Sequence, residues 1–193
     1  MDQNLIKQCK TGQRQAQFLL YEECFPWLIQ VCMRYMQDED EARSILNVGF
    51  LKILDGLKSY RPEVPFEAWC KRIMINTIID AFRKTQTQRR KVDLIEMDQT
   101  SVNRHVDYNL ADLALDASQY EWMIQQLPEM PRKVFNLFAI DGFTHAEIGK
   151  LLSISAGTSK WYLNVARENL KKMVSELLNL ENSQLKAARS KIS

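Results

Sequence analysis

Residues 143–167, FTHAEIGKLLSISAGTSKWYLNVAR, decide the fold. Thr144 and Glu147 form a capping-box pattern: the Thr144 hydroxyl accepts from the Glu147 backbone N–H, and the Glu147 carboxylate reaches back. The helix opened there carries Ile148, Leu151 and Leu152. Ser153-Ile154-Ser155 follows as a tight turn, with Ser155 suited to cap a second helix. That helix runs from Ala156 into the 170s on Leu163, Ala166, Leu170 and Met173. A short helix, a tight turn and a longer helix make a helix-turn-helix.

Upstream, Leu110, Leu113, Ala114, Ala117, Tyr120, Ile124 and Leu127 make another helical stripe, broken at Leu127-Pro128-Glu129-Met130-Pro131. A short helix through Val134, Phe135, Leu137 and Phe138 ends at Asp141-Gly142. Earlier in the chain, a helix within Gln17–Met36 carries Leu28, Val31, Cys32, Tyr35 and Met36, and Asp38 and Asp40 serve as turn or N-cap residues. A second helix follows on Ala42, Ile45, Leu46, Gly49, Phe50, Ile53, Leu54 and Leu57. Two prolines three apart, Pro62 and Pro65, make Ser59–Pro65 a loop. A third helix, from about Phe66 to Lys84, has apolar residues around much of its circumference and is expected at the centre of its block.

No run alternates with period two, so the fold class is all-α: two small helical domains joined by a flexible linker. Residues 1–88 form the first domain, 89–109 the linker, 110–178 the helix-turn-helix domain and 179–193 a polar tail expected to fray. The linker overlaps the polar stretch 86–107, which begins with the basic Arg89-Arg90-Lys91 and turns acidic with Asp93, Glu96, Asp98 and Asp107.

Composition narrows the function. The 193 residues are 46% hydrophobic and 26% charged, with a net charge of +2, so nucleic-acid affinity has to come from local clustering. No apolar run reaches the roughly 18 residues of a membrane span, and the N-terminus lacks a secretory apolar core, which implies a cytoplasmic protein. Cys9, Cys24, Cys32 and Cys70 show no C-x-x-C spacing, and the two histidines, His105 and His145, lie far from them. Free thiols in a reducing compartment are therefore expected, with no metal site and no cofactor. No phosphate loop, H-E-x-x-H or G-x-S-x-G motif supports catalysis, and no catalytic residue is assigned.

Charge does cluster. Between 71 and 91, Lys71, Arg72, Arg83, Lys84, Arg89, Arg90 and Lys91 face one acid, Asp80. Arg72, Asn76, Asp80 and Arg83 recur at helical spacing and so share a face. That face suits a phosphate backbone, since each neutralised phosphate releases counterions; the alternative is a merely solvated surface. Trp69 reads as core, whereas Tyr60, near a loop tip, is placed to stack on an unpaired base. On the last helix Thr158, Ser159, Lys160, Tyr162 and Asn164 supply hydrogen-bonding groups where a recognition helix enters the major groove. A capped amphipathic helix without a ligand is the plainer alternative. Gly157 costs such a helix roughly 1 kcal/mol against Ala. A close approach to a phosphate or to the preceding helix would account for it.

Together these segments resemble the extracytoplasmic-function (ECF) sigma factors, over about residues 14–90 and 110–174. Leu127-Pro128 with Arg132, Val134 and Phe135, then Gly142-Phe143-Thr144 with Glu147-Ile148-Gly149, are similar to that family's LPxxxRxVF and G-[FL]-[ST]-xx-EIA segments. Ser155, Gly157-Thr158 and Lys160, then Ala166-Arg167, follow its SxGTxK…AR pattern. Phe66 and Trp69 with Arg72-Ile73, Asn76, Asp80 and Arg83-Lys84 resemble its FxxWLxxIAxNxxxDxxRK helix.

The resemblance implies a factor that binds core RNA polymerase and promoter DNA, with an anti-sigma factor as a further partner. Tyr60, Arg61 and Glu63 would help hold a flipped base of the −10 element, with Arg72, Asn76, Asp80, Arg83 and Lys84 nearby. Thr158, Ser159, Lys160, Tyr162, Asn164, Arg167 and Lys171 would read the −35 duplex. Glu41, Asn47 and Phe50 would face the polymerase clamp, and the linker would thread the polymerase cleft. Arg43, Ser44 and Val48 stand where the family usually has acids, and lost charge weakens and slows such docking. Trp161 and Tyr162 replace commoner small and basic residues, so promoter specificity does not carry over. The rival readings are a sigma-like helix-turn-helix regulator that does not program initiation, and a protein whose helices only dock partners.

Overall fold

The computed structural model describes residues 1–90 and 117–190, with side chains described over 1–85 and 118–177. The chain divides into two compact units, Met1–Asp98 and Gln99–Ser193, and the described residues contain helices and turns but no strand.

In the first unit, α1 (Gln3–Lys10) is capped by Asp2, whose carboxylate accepts from the Asn4 N–H at 2.8 Å. The sequence reading did not anticipate this short helix, which buries Leu5, Ile6 and Cys9. Gly12, at φ +80°, turns the chain into α2 (Arg14–Met33), which carries Pro26 within it and buries Leu20, Cys24, Leu28, Val31 and Cys32. α3 (Glu39–Gly56) starts at Asp38, whose side chain accepts from the Glu41 N–H at 2.8 Å, and Glu39, Asp40 and Glu41 complement the positive end of the helix. After a single 3₁₀ turn, Leu57–Ser59, the loop leads into α4 (Phe66–Arg90).

The expected centrality of the third long helix holds: α4 packs against both α2 and α3, with Cys70, Met74, Ile75, Ile78 and Ile79 buried. α3 and α4 meet closely at Gly49, where an added Cβ would stand 2.6 Å from the Met74 sulfur. All four cysteines are free and buried. Loss of water pushes the Cys24 and Cys32 thiols up to about 12 and raises Cys9 and Cys70 as well. α4 runs on to Arg90, so 86–90 are helical and the first two positions of the expected linker belong to the helix. Positions 91–109 and the stripe residues Leu110, Leu113 and Ala114 lie outside the described residues.

In the second unit, α5 (Ala117–Gln125) and α6 (Glu129–Phe135) pack on α8 (Ala156–Ser190). Met123, Leu127, Ala166, Leu170 and Val174 form the core there, flanked by Tyr120, Ile124, Phe135, Met173 and Leu177. Arg132 is buried, and its guanidinium donates from Nη1 to the Gln125 carbonyl at 3.1 Å, capping the end of α5. Beyond α6 the chain makes one π turn, Asn136–Ile140, and Gly142 at φ +75° redirects it. α7 (His145–Leu152) opens with both halves of the expected capping box formed. Its end, Ser153, is left-handed at φ 56°, and Gly149 leaves room there, because a Cβ would sit 2.8 Å from the Ile154 carbonyl oxygen. α8 continues through Ser190, so 179–190 extend the helix and do not form the frayed tail expected.

Candidate nucleic-acid interface

The two units each present one polar helical stripe. On α8 the stripe follows from the helix period. Leu163, Ala166, Leu170 and Val174 face the core, leaving Gly157, Lys160, Asn164, Arg167 and Glu168 exposed on the opposite side. Lys160, Asn164 and Arg167 are thus exposed to solvent. Lys171 is half-buried and lies 3.5 Å from Glu168.

Three expected groups occupy other places. Thr158 is half-buried and closes the cap of α8: its N–H donates to Ser155 Oγ at 2.9 Å, and the two hydroxyls lie 2.8 Å apart. Ser159 is fully buried, with Oγ 2.9 Å from His145 Nδ1. Tyr162 is also buried, and desolvation raises its phenol pKa. Ser159 and Tyr162 therefore support the helix from inside; their positions, three before Tyr162 and four before Ala166, fall on the core-facing side. Trp161, which the sequence reading named only as a departure from the family pattern and not as a duplex contact, is half-buried on the open stripe and edge-on to Tyr162 at 4.9 Å between ring centroids. The phase of Leu163, Ala166 and Leu170 was the signal that could have found it.

His145 connects the helix-turn-helix elements. Its ring stacks on Phe138, with centroids 4.4 Å apart and planes 16° from parallel. Burial, then the positive charges of Lys160 and Arg167, hold its pKa below the ordinary histidine value.

On α4 of the first unit, Arg72, Asn76, Asp80, Arg83 and Lys84 are all exposed. Asp80 is 3.5 Å from Lys52 on α3, a solvated pair that spans the two helices. Tyr60 is corrected: it is 5% exposed, not free at a loop tip. Its hydroxyl donates to the Val64 carbonyl at 2.9 Å, and its ring packs against Phe66 and Trp69 at 5.3 and 5.1 Å. Lys10 donates to the Tyr60 carbonyl at 3.2 Å. The exposed rim of this loop is Arg61, Glu63 and Val64, held in shape by the buried phenol beneath.

On α3, Glu41 and Asn47 are exposed, and Asn47 Oδ1 accepts from the Tyr21 hydroxyl at 3.0 Å. Phe50 is corrected: it is buried, edge-on to Tyr21 at 5.0 Å, and belongs to the α2–α3 packing. Arg43 pairs with Glu39 and lies over the Phe25 ring. Phe18, Val48 and Leu51 are exposed apolar residues of α2 and α3. Among the described residues no cluster of His, Cys, Asp and Glu gathers as a metal would require, and no described helix is long and apolar enough to cross a membrane.

Comparison with known proteins gives the same order of parts. A family model described as Sigma-70 region 2 matches residues 20–88, and one described as Sigma-70, region 4 matches residues 119–170. The chain is similar to the RNA polymerase sigma-H factor of Pseudomonas aeruginosa, 25% identical over 187 residues, covering 92% of this chain and 95% of that protein. It is 28% identical over 179 residues to the ECF RNA polymerase sigma factor SigW of Bacillus subtilis, covering 89% and 96%. Among solved structures it is similar to the sigma factor RpoE in complex with the anti-sigma factor NepR from Bartonella quintana. That match has a TM-score of 0.48 and 17% identity, and it covers 81% of this chain and 96% of that one.

Proposed function

Because the chain belongs to the ECF sigma factors, with sigma-70 region 2 ahead of region 4, we propose that it directs promoter-specific initiation of transcription through two DNA-facing stripes. Its partners are core RNA polymerase and promoter DNA, and an anti-sigma factor is the third kind of partner expected. It is an initiation factor and leaves the chemistry of RNA synthesis to the polymerase, which also puts its work in the cytoplasm.

In this reading residues 1–88 dock on the polymerase clamp and engage the melted −10 element, and 110–178 hold the −35 element as duplex. The exposed loop rim, Arg61 and Glu63, meets a flipped base over the buried Tyr60, while Arg72, Asn76, Asp80, Arg83 and Lys84 line the adjoining helix. Lys160, Asn164 and Arg167 approach the major groove, with Thr158, Ser159 and Tyr162 fixing the helix that carries them. Glu41 and Asn47 form the clamp-facing side of α3.

One observation carries this reading: in each unit a helix buried on its other sides leaves open a stripe bearing arginine, lysine and asparagine, and the two stripes lie within the two matched regions. Such a stripe supplies phosphate contacts for affinity and amide groups for base edges. The test is run-off transcription with purified core polymerase and promoter fragments. Promoter-dependent transcript is expected; DNA binding without transcript would instead make the chain a regulator that does not program initiation.

A further inference from the structure

Gly157 is a puzzle that the chain itself does not solve. It sits in the first turn of α8, exposed, where glycine weakens a helix. A Cβ built there would meet only Ser155 Oγ, at 3.5 Å, an ordinary contact. Neither the turn nor α7 needs the space, in contrast to Gly149, which faces the Ile154 carbonyl oxygen at 2.8 Å. The space therefore opens outward.

Trp161 stands one helical turn further on, at i+4, and side chains of a helix lean toward its N-terminus. The two positions therefore share one face of α8, and no atom but Ser155 Oγ comes within 4 Å of the place a Gly157 Cβ would take. The buried Tyr162 ring sits against its edge, with planes inclined at 60°. Lys160 and Asn164, both exposed, flank it on the same stripe. The core around Met123, Leu127, Ala166, Leu170 and Val174 does not include Trp161. A large, half-buried aromatic one turn from a side-chain-free position makes an apolar notch within an otherwise polar face.

In the major groove the one apolar group on a base edge is the 5-methyl of thymine. Accordingly, we propose that the Gly157–Trp161 notch is a specificity determinant that reads a thymine methyl group in the −35 duplex, while Lys160 and Arg167 supply phosphate contacts. This rests on the reading of α7 and α8 as the duplex reader. Trp161 then selects sequence, which the phosphate contacts cannot do.

The test uses holoenzyme reconstituted from the full chain and core polymerase, on a promoter located by footprinting. Thymines of the −35 duplex are replaced one at a time by uracil, which lacks only the 5-methyl group. Wild-type holoenzyme is expected to lose about fourfold in affinity at one position, the worth of one buried methyl group. Trp161→Ala should bind the thymine duplex more weakly by at least as much and should no longer distinguish thymine from uracil there. Indifference of the wild type to every replacement, or undiminished discrimination by Trp161→Ala, overturns the inference.

Gly157→Ala is the second variant, since it leaves the fold no reason to fail. It should raise the melting midpoint of the unit by about 4–8 °C while weakening binding to the same duplex. Unchanged affinity would show that nothing enters the notch and would also overturn the inference. Promoter-dependent transcription by the wild type is scored separately: its absence defeats the sigma reading, whereas transcription without thymine discrimination defeats only the role of Gly157 and Trp161.

Discussion

His145 Nδ1 and Ser159 Oγ lie 2.9 Å apart, a single hydrogen bond that ties the first helix of the helix-turn-helix to the second from within. Ser159 is fully buried, so its hydroxyl has no water to fall back on. Ser159→Ala is expected to cost about 1 kcal/mol of stability, read as a lower denaturation midpoint with an unchanged m-value.

The same histidine makes stability depend on pH. Its pKa in the folded chain lies below the ordinary 6.5 because burial and then Lys160 and Arg167 disfavour the charged ring. The unfolded chain therefore takes up the proton first, and stability present above about pH 6.5 is lost as pH falls toward the lower folded value. Melting curves should show this decline, and His145→Gln, which can still bond Ser159, should flatten it.

Arg167 is exposed, so Arg167→Ala should leave folding intact. Duplex binding should weaken, and the slope of log affinity against log salt should fall by about 1. An unaltered slope would remove Arg167 from the phosphate contacts.

Arg132 is 4% exposed and holds the Gln125 carbonyl at the end of α5. Burial lowers its pKa, with Glu129 opposing that effect. Arg132→Ala removes that buried hydrogen bond and empties the space, so a loss of about 2–3 kcal/mol is expected in urea unfolding. Arg132→Lys should recover only part, because an ammonium lacks the planar fork.

Restoring acids on α3 tests the clamp assignment. Arg43→Glu with Ser44→Asp should speed association with core polymerase about fivefold at low salt, with less effect at high salt. Both positions are exposed, which makes misfolding a poor explanation for any change. Equal rates in a stopped-flow titration would contradict the assignment.

Much of this molecule was legible from spacing. The Thr144–Glu147 box, the Asp38 cap and the buried stripe of α3 all appear as read, because capping chemistry and the helix period act locally. Ser159, Tyr162 and Tyr60 were misplaced because they were assigned by residue type and family position, whereas burial is set by helical phase and by the packing of distant segments; Phe50 lies on the buried stripe its spacing gave, and only the family position put it at the clamp. Tyr60 illustrates the second case, since its cover comes from Phe66, Trp69 and Lys10, the last of them fifty positions away. The helix α1 escaped notice because eight mostly polar residues carry too short a pattern to stand out.

All four thiols of the chain sit in the first unit, sealed from water and held in the protonated form that maleimides ignore. Alkylation at neutral pH therefore waits for that unit to open, while the cysteine-free region 110–178 contributes no signal. The intact protein thus contains its own clock for the breathing of one half, readable by mass spectrometry even when polymerase or DNA is bound to it.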